Sequence, residues 1–288
     1  MFLLQGLANG LAMGSLYALV AAGLTLVFGV LKIINIAHGE FLMLAMYAYF
    51  FLQQILGLDP YLSILIVTPL LFLFGNVFFQ IFIRPVVEDP PMSKLLITMG
   101  LSLILANGAL FLFTADYRSV DLTYGQAKFA VGGVYIRWTE AIVFAGSLLI
   151  TGTLYWVLKS TALGRHIRAV AQNREAAALM GIDVYRIYGL SFGIGAACVG
   201  IAGGLLIPIY YVYPDVGLMF LLIAFVVIVM GGMGNFMGAL AGGLIVGIVE
   251  SISALFMPGS SAPLVIFVVF ILILLIRPQG LMGGRQGV

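Results

Sequence analysis

Residues 159–187 read KSTALGRHIRAVAQNREAAALMGIDVYRI, and the folding of the whole chain can be worked out from this run. It carries Lys159, Arg165, Arg168, Arg174 and Arg186 against only Glu175 and Asp183. Around it the chain is 63% hydrophobic and 8% charged, with a mean hydropathy of +1.19. Such a composition lies outside the range of water-soluble domains. An Arg or Lys at the centre of a bilayer costs at least ~2.5–3.5 kcal/mol, so a run this polar must lie in water between membrane spans. Its basic excess assigns it to the cytoplasmic side. The run is also ordered. Asn173 can cap a two-turn helix from Arg174 to Met180, and Gly181 stands where a left-handed residue closes a helix. Asp183 can cap the next helix, which turns apolar from Ile187. Two readings are open for this loop, a plain connector or a surface made to be gripped.

The fold class is all-α, a polytopic membrane helix bundle. The 288 residues have room for about eight to ten helices of ~20 residues. Nine spans are expected: Leu4 to Val30, Phe41 to Leu56, Tyr61 to Ile83, Leu95 to Phe113, Ala141 to Leu158, Ile187 to Ile207, Val216 to Met230, Phe236 to Phe256 and Ala262 to Ile276. With the N-terminus outside and the C-terminus cytoplasmic, Lys32, Arg84, Lys94, Arg277 and Arg285 join the basic loop inside. Only three of the 13 basic residues then face out. These are Arg118, Lys128 and Arg137, balanced by Asp116, Asp121 and Glu140 in an external loop over 114–140. The opposite orientation would invert the positive-inside bias. Residues 1–288 therefore form one transmembrane domain, with a cytoplasmic loop at 159–187. Within the external loop, KFAVGGVYIRW (128–138) predicts a β-hairpin turning at Gly132-Gly133. It serves either as a cap over the bundle or as a docking surface. RPVVEDPPMSK (84–94) reads as a stiff cytoplasmic loop. The opening MFLLQGLANG has no Lys or Arg before its apolar run and does not read as a cleaved signal peptide. The lone Cys198 excludes an internal disulfide.

Small residues recur at helical spacing: Gly10 and Gly14, then Gly189, Gly193, Gly200 and Gly204, then Gly238, Gly242, Gly243 and Gly247. Such faces let helix backbones approach closely in lipid. The break Gly231-Gly232-Met233-Gly234-Asn235 is either a cytoplasmic turn or a discontinuous helix on a permeation path. Polar residues within apolar runs are candidates for that path, because ionisable groups at membrane depth are rare and functional. They are Asn35, His38, Glu40, Asn235 and Glu250. For His38 and Glu40 the competing reading is simple pairing at the cytoplasmic interface beside Lys32. Glu250 either lines the path or sits near its outer end.

Machinery for chemistry is not legible. There is no GxxxxGK[ST] phosphate loop, His38 and His166 have no partners at metal-ligand spacing, and no Ser-His-Asp set can be assembled. The chain is expected to be neither an enzyme nor a metal or nucleic-acid binder, and any ATP-driven engine must be another subunit.

Three segments carry a family resemblance. Glu175-Ala176-Ala177 followed by Gly181 resembles the EAA motif of permease subunits in bacterial ABC importers, without the Ile and Leu-Pro that often close it. GLTLVFGVLKIINIAHGEFLMLAMY (23–47), GRHIRAVAQNREAAALMGI (164–182) and RPQGLMG (277–283) together resemble the shorter, first type of permease in branched-chain amino-acid ABC importers. That resemblance implies a bacterial inner-membrane subunit moving leucine, isoleucine or valine inward. It implies two ATPase subunits holding ATP and Mg, a second permease and an extracytoplasmic binding protein, with membrane lipid around the bundle and no cofactor on this chain. It further implies that Arg174, Glu175, Ala176, Ala177, Leu179 and Gly181 form the coupling helix that docks on the ATPase. Related permeases carry urea and short amides. The rival reading is a self-contained secondary transporter using Glu40 and Glu250 as proton or ion sites.

Overall fold

In the computed structural model, which describes residues 2–122, 124–125, 127–257 and 262–283, the apolar runs are helices. Helix α1 (Phe2–Leu31) has 30 residues, about 45 Å at 1.5 Å per residue, longer than a hydrocarbon core of ~30 Å. A non-helical stretch over 32–37, ending in a turn, leads into α2 (His38–Leu56). Helix α3 (Pro60–Phe78) starts with Pro60 at its first position and with Asp59 accepting from the Tyr61 N–H at 2.8 Å. It runs on through a π turn (Phe79–Ile83) and a 3-10 turn (Arg84–Val86) before α4 (Pro91–Phe113). Strands β1 (Lys128–Val131) and β2 (Val134–Arg137) pair antiparallel, with Lys128 opposite Arg137. Gly132 and Gly133 turn the hairpin with φ of 58° and 84°, both left-handed as a two-residue loop of this hand requires. Helix α5 (Trp138–Ser160) follows, then α6 (Ala162–Gln172), α7 (Arg174–Leu179), α8 (Val184–Leu206), α9 (Val216–Gly231), α10 (Phe236–Phe256) and α11 (Ala262–Ile276).

Seven of these helices are long and apolar enough to cross a membrane. The shorter α9 and α11 of the bundle, of 16 and 15 residues, are apolar as well. At one end, the Gln5 side chain bonds the Tyr135 backbone, the Tyr124 hydroxyl donates to Asp59, and Arg118 bridges Val212. At the other end, Gly29 meets Gly234 and the Leu281 N–H donates to the Met230 carbonyl. Seven membrane-long helices and two shorter apolar ones correspond to the nine apolar runs of the sequence. The first end carries the hairpin and its balanced charges, and the second carries the basic loop, so the positive-inside rule sets the first outside. Arg277 lies at the inner end; Arg285 lies outside the described residues.

Helix α1 forms the axis of the bundle, packed by α8, α9, α10 and α5. Its glycines set the distance. A Cβ on Gly10 would sit 2.8 Å from the Ile248 Cα, and one on Gly14 would sit 2.8 Å from the Gly243 carbonyl oxygen. Backbone therefore packs on backbone along α1 and α10, which is how helices associate where lipid offers no hydrophobic driving force. Helices α3 and α8 approach closely at Gly193 and Gly75, while Gly200 makes room for the Leu71 side chain.

Orientation has a direct test. Cys198 is buried and can be replaced by Ala for labelling. In that background an impermeant thiol reagent applied to intact cells is expected to modify Lys128→Cys and spare Arg168→Cys. Labelling of position 168 from outside would overturn the map.

Candidate functional site

The basic loop 159–187 holds two helices. Asn173 caps α7 by accepting from the Glu175 and Ala176 N–H groups, each at 3.0 Å. Gly181 closes it at φ 81°, and Asp183 caps α8 by accepting from the Arg186 N–H at 3.0 Å. Helix α6 precedes α7 in this loop and is not among the expected elements. Its signal was Thr161, whose hydroxyl oxygen accepts from the Gly164 N–H at 3.1 Å, ahead of Leu163, Ile167 and Val170 at i, i+4 and i+7. Ile167 and Val170 are buried while Arg165, His166 and Arg168 are exposed. This is an amphipathic helix lying across the inner end of the bundle.

At α7 the side chains divide. Ala177 is 4% exposed and packs inside the chain, whereas Leu179 and Met180 are 89% and 82% exposed. Arg174 and Glu175 also face out. Arg174 Nη1 lies 2.5 Å from Glu88 Oε2, the Tyr185 hydroxyl donates to Glu88 Oε1 at 3.3 Å, and the Arg84 guanidinium sits over the Tyr185 ring at 5.3 Å. This ties α7 to the loop between α3 and α4. The hydrogen bond from Arg174 holds the Glu88 carboxyl below the usual carboxylate range. A depressed carboxylate pKa means the tie persists above the ordinary value and is lost only as pH falls through the lowered one. Both side chains are about half exposed, so the pair contributes about 0–1 kcal/mol. It orients α7 more than it stabilises the fold.

The second site is at mid-depth. The non-helical segment after Leu31 turns back into the bundle, with Ile33, Asn35, Ala37 and His38 all buried. His38 Nε2 lies 3.3 Å from the Val20 carbonyl oxygen in the middle of α1. Ser102, three turns into α4, donates to Glu40 Oε1 at 3.1 Å. His38 and Glu40 are therefore not at the cytoplasmic interface beside Lys32. Non-helical backbone at this depth is tolerated only where protein or a cavity surrounds it. Gly39 meets Gly217 at the start of α9, so two interrupted elements face each other around Glu40. Both amide atoms of Asn35 and the second Glu40 oxygen have no protein partner. Interior polar groups left like this cost stability, and intramembrane examples mark transport routes and ion relays.

Asn235 is placed elsewhere. It caps α10 by accepting from the Gly238 N–H at 3.0 Å and donates to the Met282 carbonyl at 2.6 Å. The glycine break is a tight cytoplasmic turn that also holds the C-terminal strap; the discontinuous backbone lies at 32–37 and 207–215 instead. The sequence marks a break between the runs ending at Val30 and starting at Phe41, but periodicity carries no information on the depth at which that break lies. Glu250 accepts from the buried Tyr17 hydroxyl at 2.7 Å. It lines a cavity of about 330 Å³ between α9, α10 and α11 with Asp215, Leu222, Val226, Ile266 and Phe267. The cavity is mostly apolar, with Asp215 and Glu250 among its lining residues, a composition suited to a small amphipathic ligand. Among the described residues no three His, Cys, Asp or Glu side chains cluster as a metal site.

The model of the family described as "Branched-chain amino acid transport system / permease component" matches residues 6–276. The chain belongs to this family. The permease is 32% identical over 98% of its length to BraD of Pseudomonas aeruginosa, covering 96% of that protein. It is 31% identical over 99% of its length to LivH of Escherichia coli, covering 97%. With a probable LivH of Methanocaldococcus jannaschii the identity is 28% over 96% of the permease and 91% of the relative. All three are named as branched-chain amino acid transport permeases. No solved structure matches the permease. It is a transport subunit, a multi-pass protein of the bacterial inner membrane.

Proposed function

We propose that this permease is the membrane-spanning subunit of a binding-protein-dependent ABC importer that carries branched-chain amino acids into the cytoplasm. The carrying observation is similarity along the whole chain to permeases named for that transport. Energy comes from separate ATPase subunits that hold ATP and Mg. A second permease and an extracytoplasmic binding protein complete the assembly. The segment from Arg174 to Gly181 is the ATPase contact, with Leu179 and Met180 its apolar anchors and Glu175 its charged edge. A six-residue helix is too short to be stable alone in water. Its caps and the Glu88 tie hold it ready for docking.

The substrate route passes the cavity between α9, α10 and α11. There the ammonium group of the amino acid meets Glu250 and Asp215, and its branched side chain lies on Leu222, Val226 and Ile266. Asn35, His38 and Glu40 act from the far side of α9, at the junction of the two interrupted elements. Glu250→Gln keeps the shape and the Tyr17 contact but removes the charge. A charge-assisted hydrogen bond contributes about 1.5–3 kcal/mol, so uptake is expected to fall roughly tenfold to a hundredfold with assembly intact. Unchanged uptake kinetics would return Glu250 to a packing role.

The test of the function as a whole is reconstitution. Leucine uptake into proteoliposomes is expected only when permeases, ATPases, binding protein and ATP are all present. Uptake by this chain alone, driven by a pH gradient, would instead establish a self-contained secondary transporter. Uptake of urea or short amides in place of leucine would correct the substrate and leave the importer standing.

A further inference from the structure

The inner end of the bundle contains a second cavity that the transport reading does not use. It has a volume of about 510 Å³ and opens between α1, α5, α6 and the turn before α10. Its floor is apolar, formed by Leu26 and Val30 of α1 and by Phe236. Tyr155 stacks on Phe236 with ring centroids 5.9 Å apart. The rim is cationic, carrying Lys159, whose Nζ sits over the Tyr155 ring at 5.6 Å, and Arg168 of α6. No Asp or Glu lines it. Among the described residues the ion pairs are Arg137 with Glu140 and Arg174 with Glu88, so both rim cations lack an acidic partner.

Position determines the class of ligand. Val30 is in the last turn of α1 and Lys159 in the last turn of α5. The rim thus lies at the level where headgroups meet the cytoplasm, and the floor extends toward the hydrocarbon. Helix α6 crosses the same level with a basic outer face, the arrangement that draws anionic headgroups to an interfacial amphipathic helix. We infer that this cavity is a binding site for an anionic phospholipid of the cytoplasmic leaflet, its phosphate held by Lys159 and Arg168 and an acyl chain lying on Leu26, Val30 and Phe236. A bound lipid would join α6 to α1 and α5 and brace the helix that leads into α7.

The probe is phosphatidylglycerol added to the delipidated, detergent-purified permease assembly, with retention read by native mass spectrometry and phosphatidylcholine as the neutral control. Each basic residue near anionic headgroups is worth about fivefold in binding. Lys159→Gln with Arg168→Gln is therefore expected to weaken phosphatidylglycerol retention roughly tenfold to thirtyfold, leaving phosphatidylcholine unchanged. Arg165→Gln, on the same helix but off the rim, is the control for overall charge. A Cβ on Gly29 would have only ordinary van der Waals neighbours, the nearest 3.7 Å away. Gly29→Leu should fill the cavity without unfolding the bundle and reduce retention of both lipids. Equal retention by wild type and the double variant would overturn the site, as would an equal loss with Arg165→Gln. Displacement of bound lipid by inorganic phosphate alone would also overturn it, by showing a simple anion site. So would crosslinking of Gly29→Cys to another subunit in the assembled complex, by showing that a protein covers the cavity.

Discussion

Gly39→Val and Gly217→Val are each expected to abolish transport and to lower the yield of folded permease severely. A Cβ on Gly39 would press into the Gly217 carbonyl and lie 2.9 Å from the Leu221 Cβ. One on Gly217 would lie 2.7 Å from Glu40 Oε2 and 2.7 Å from the Gly39 carbonyl oxygen. Overpacking a core costs about 1–3 kcal/mol when side chains can yield. Here backbone meets backbone between two interrupted elements, with α8 also packed on α2, so the cost is expected at about 3 kcal/mol or above. Gly100→Val and Gly108→Val are matched controls, because a Cβ at either meets nothing within 4 Å. Thermal stability in detergent and uptake in cells are the measurements. If the two junction variants match the controls, the close approach at mid-depth is not a constraint.

The second large effect is expected at α7. Replacing both Leu179 and Met180 by Asp should return substrate-stimulated ATP hydrolysis to its unstimulated level and prevent recovery of the ATPase on the purified permease. Burying one such side chain is worth about 1.5–3 kcal/mol, so losing two anchors lowers docking at least a hundredfold by the usual conversion of about 1.4 kcal/mol per tenfold. At 89% and 82% exposure the two side chains contribute little to the fold itself, so yield and stability should stay near wild type. Gly181→Val acts through a different cause. Its φ of 81° is strained for any residue with a Cβ and costs a β-branched one most, so α7 should lose its closing turn. Normal coupling in both variants would leave 159–187 as a connector.

The chain by itself determined what depends on local chemistry and on solvent. The charge of 159–187 set it apart from the apolar spans, the apolar runs gave the helices, and the basic residues predict the sidedness. Asn173, Gly181 and Asp183 marked helix ends because capping is a contact between neighbours in sequence. Gly132-Gly133 marked the hairpin for the same reason. The glycine rows also announced close packing, although not which helices would meet. Tertiary structure decided everything that depends on depth and on distant partners. Residues 32–37 fall between two apolar runs in the sequence, but only the packing against α1 and α4 reveals that this non-helical segment turns into the bundle and carries His38 and Glu40 to mid-depth. The Tyr17 contact of Glu250 spans 233 positions, and no periodicity encodes it. Ala177 and Leu179 look alike as coupling candidates in sequence. The fold buries one and exposes the other, because only one face of a helix can pack against the chain that holds it.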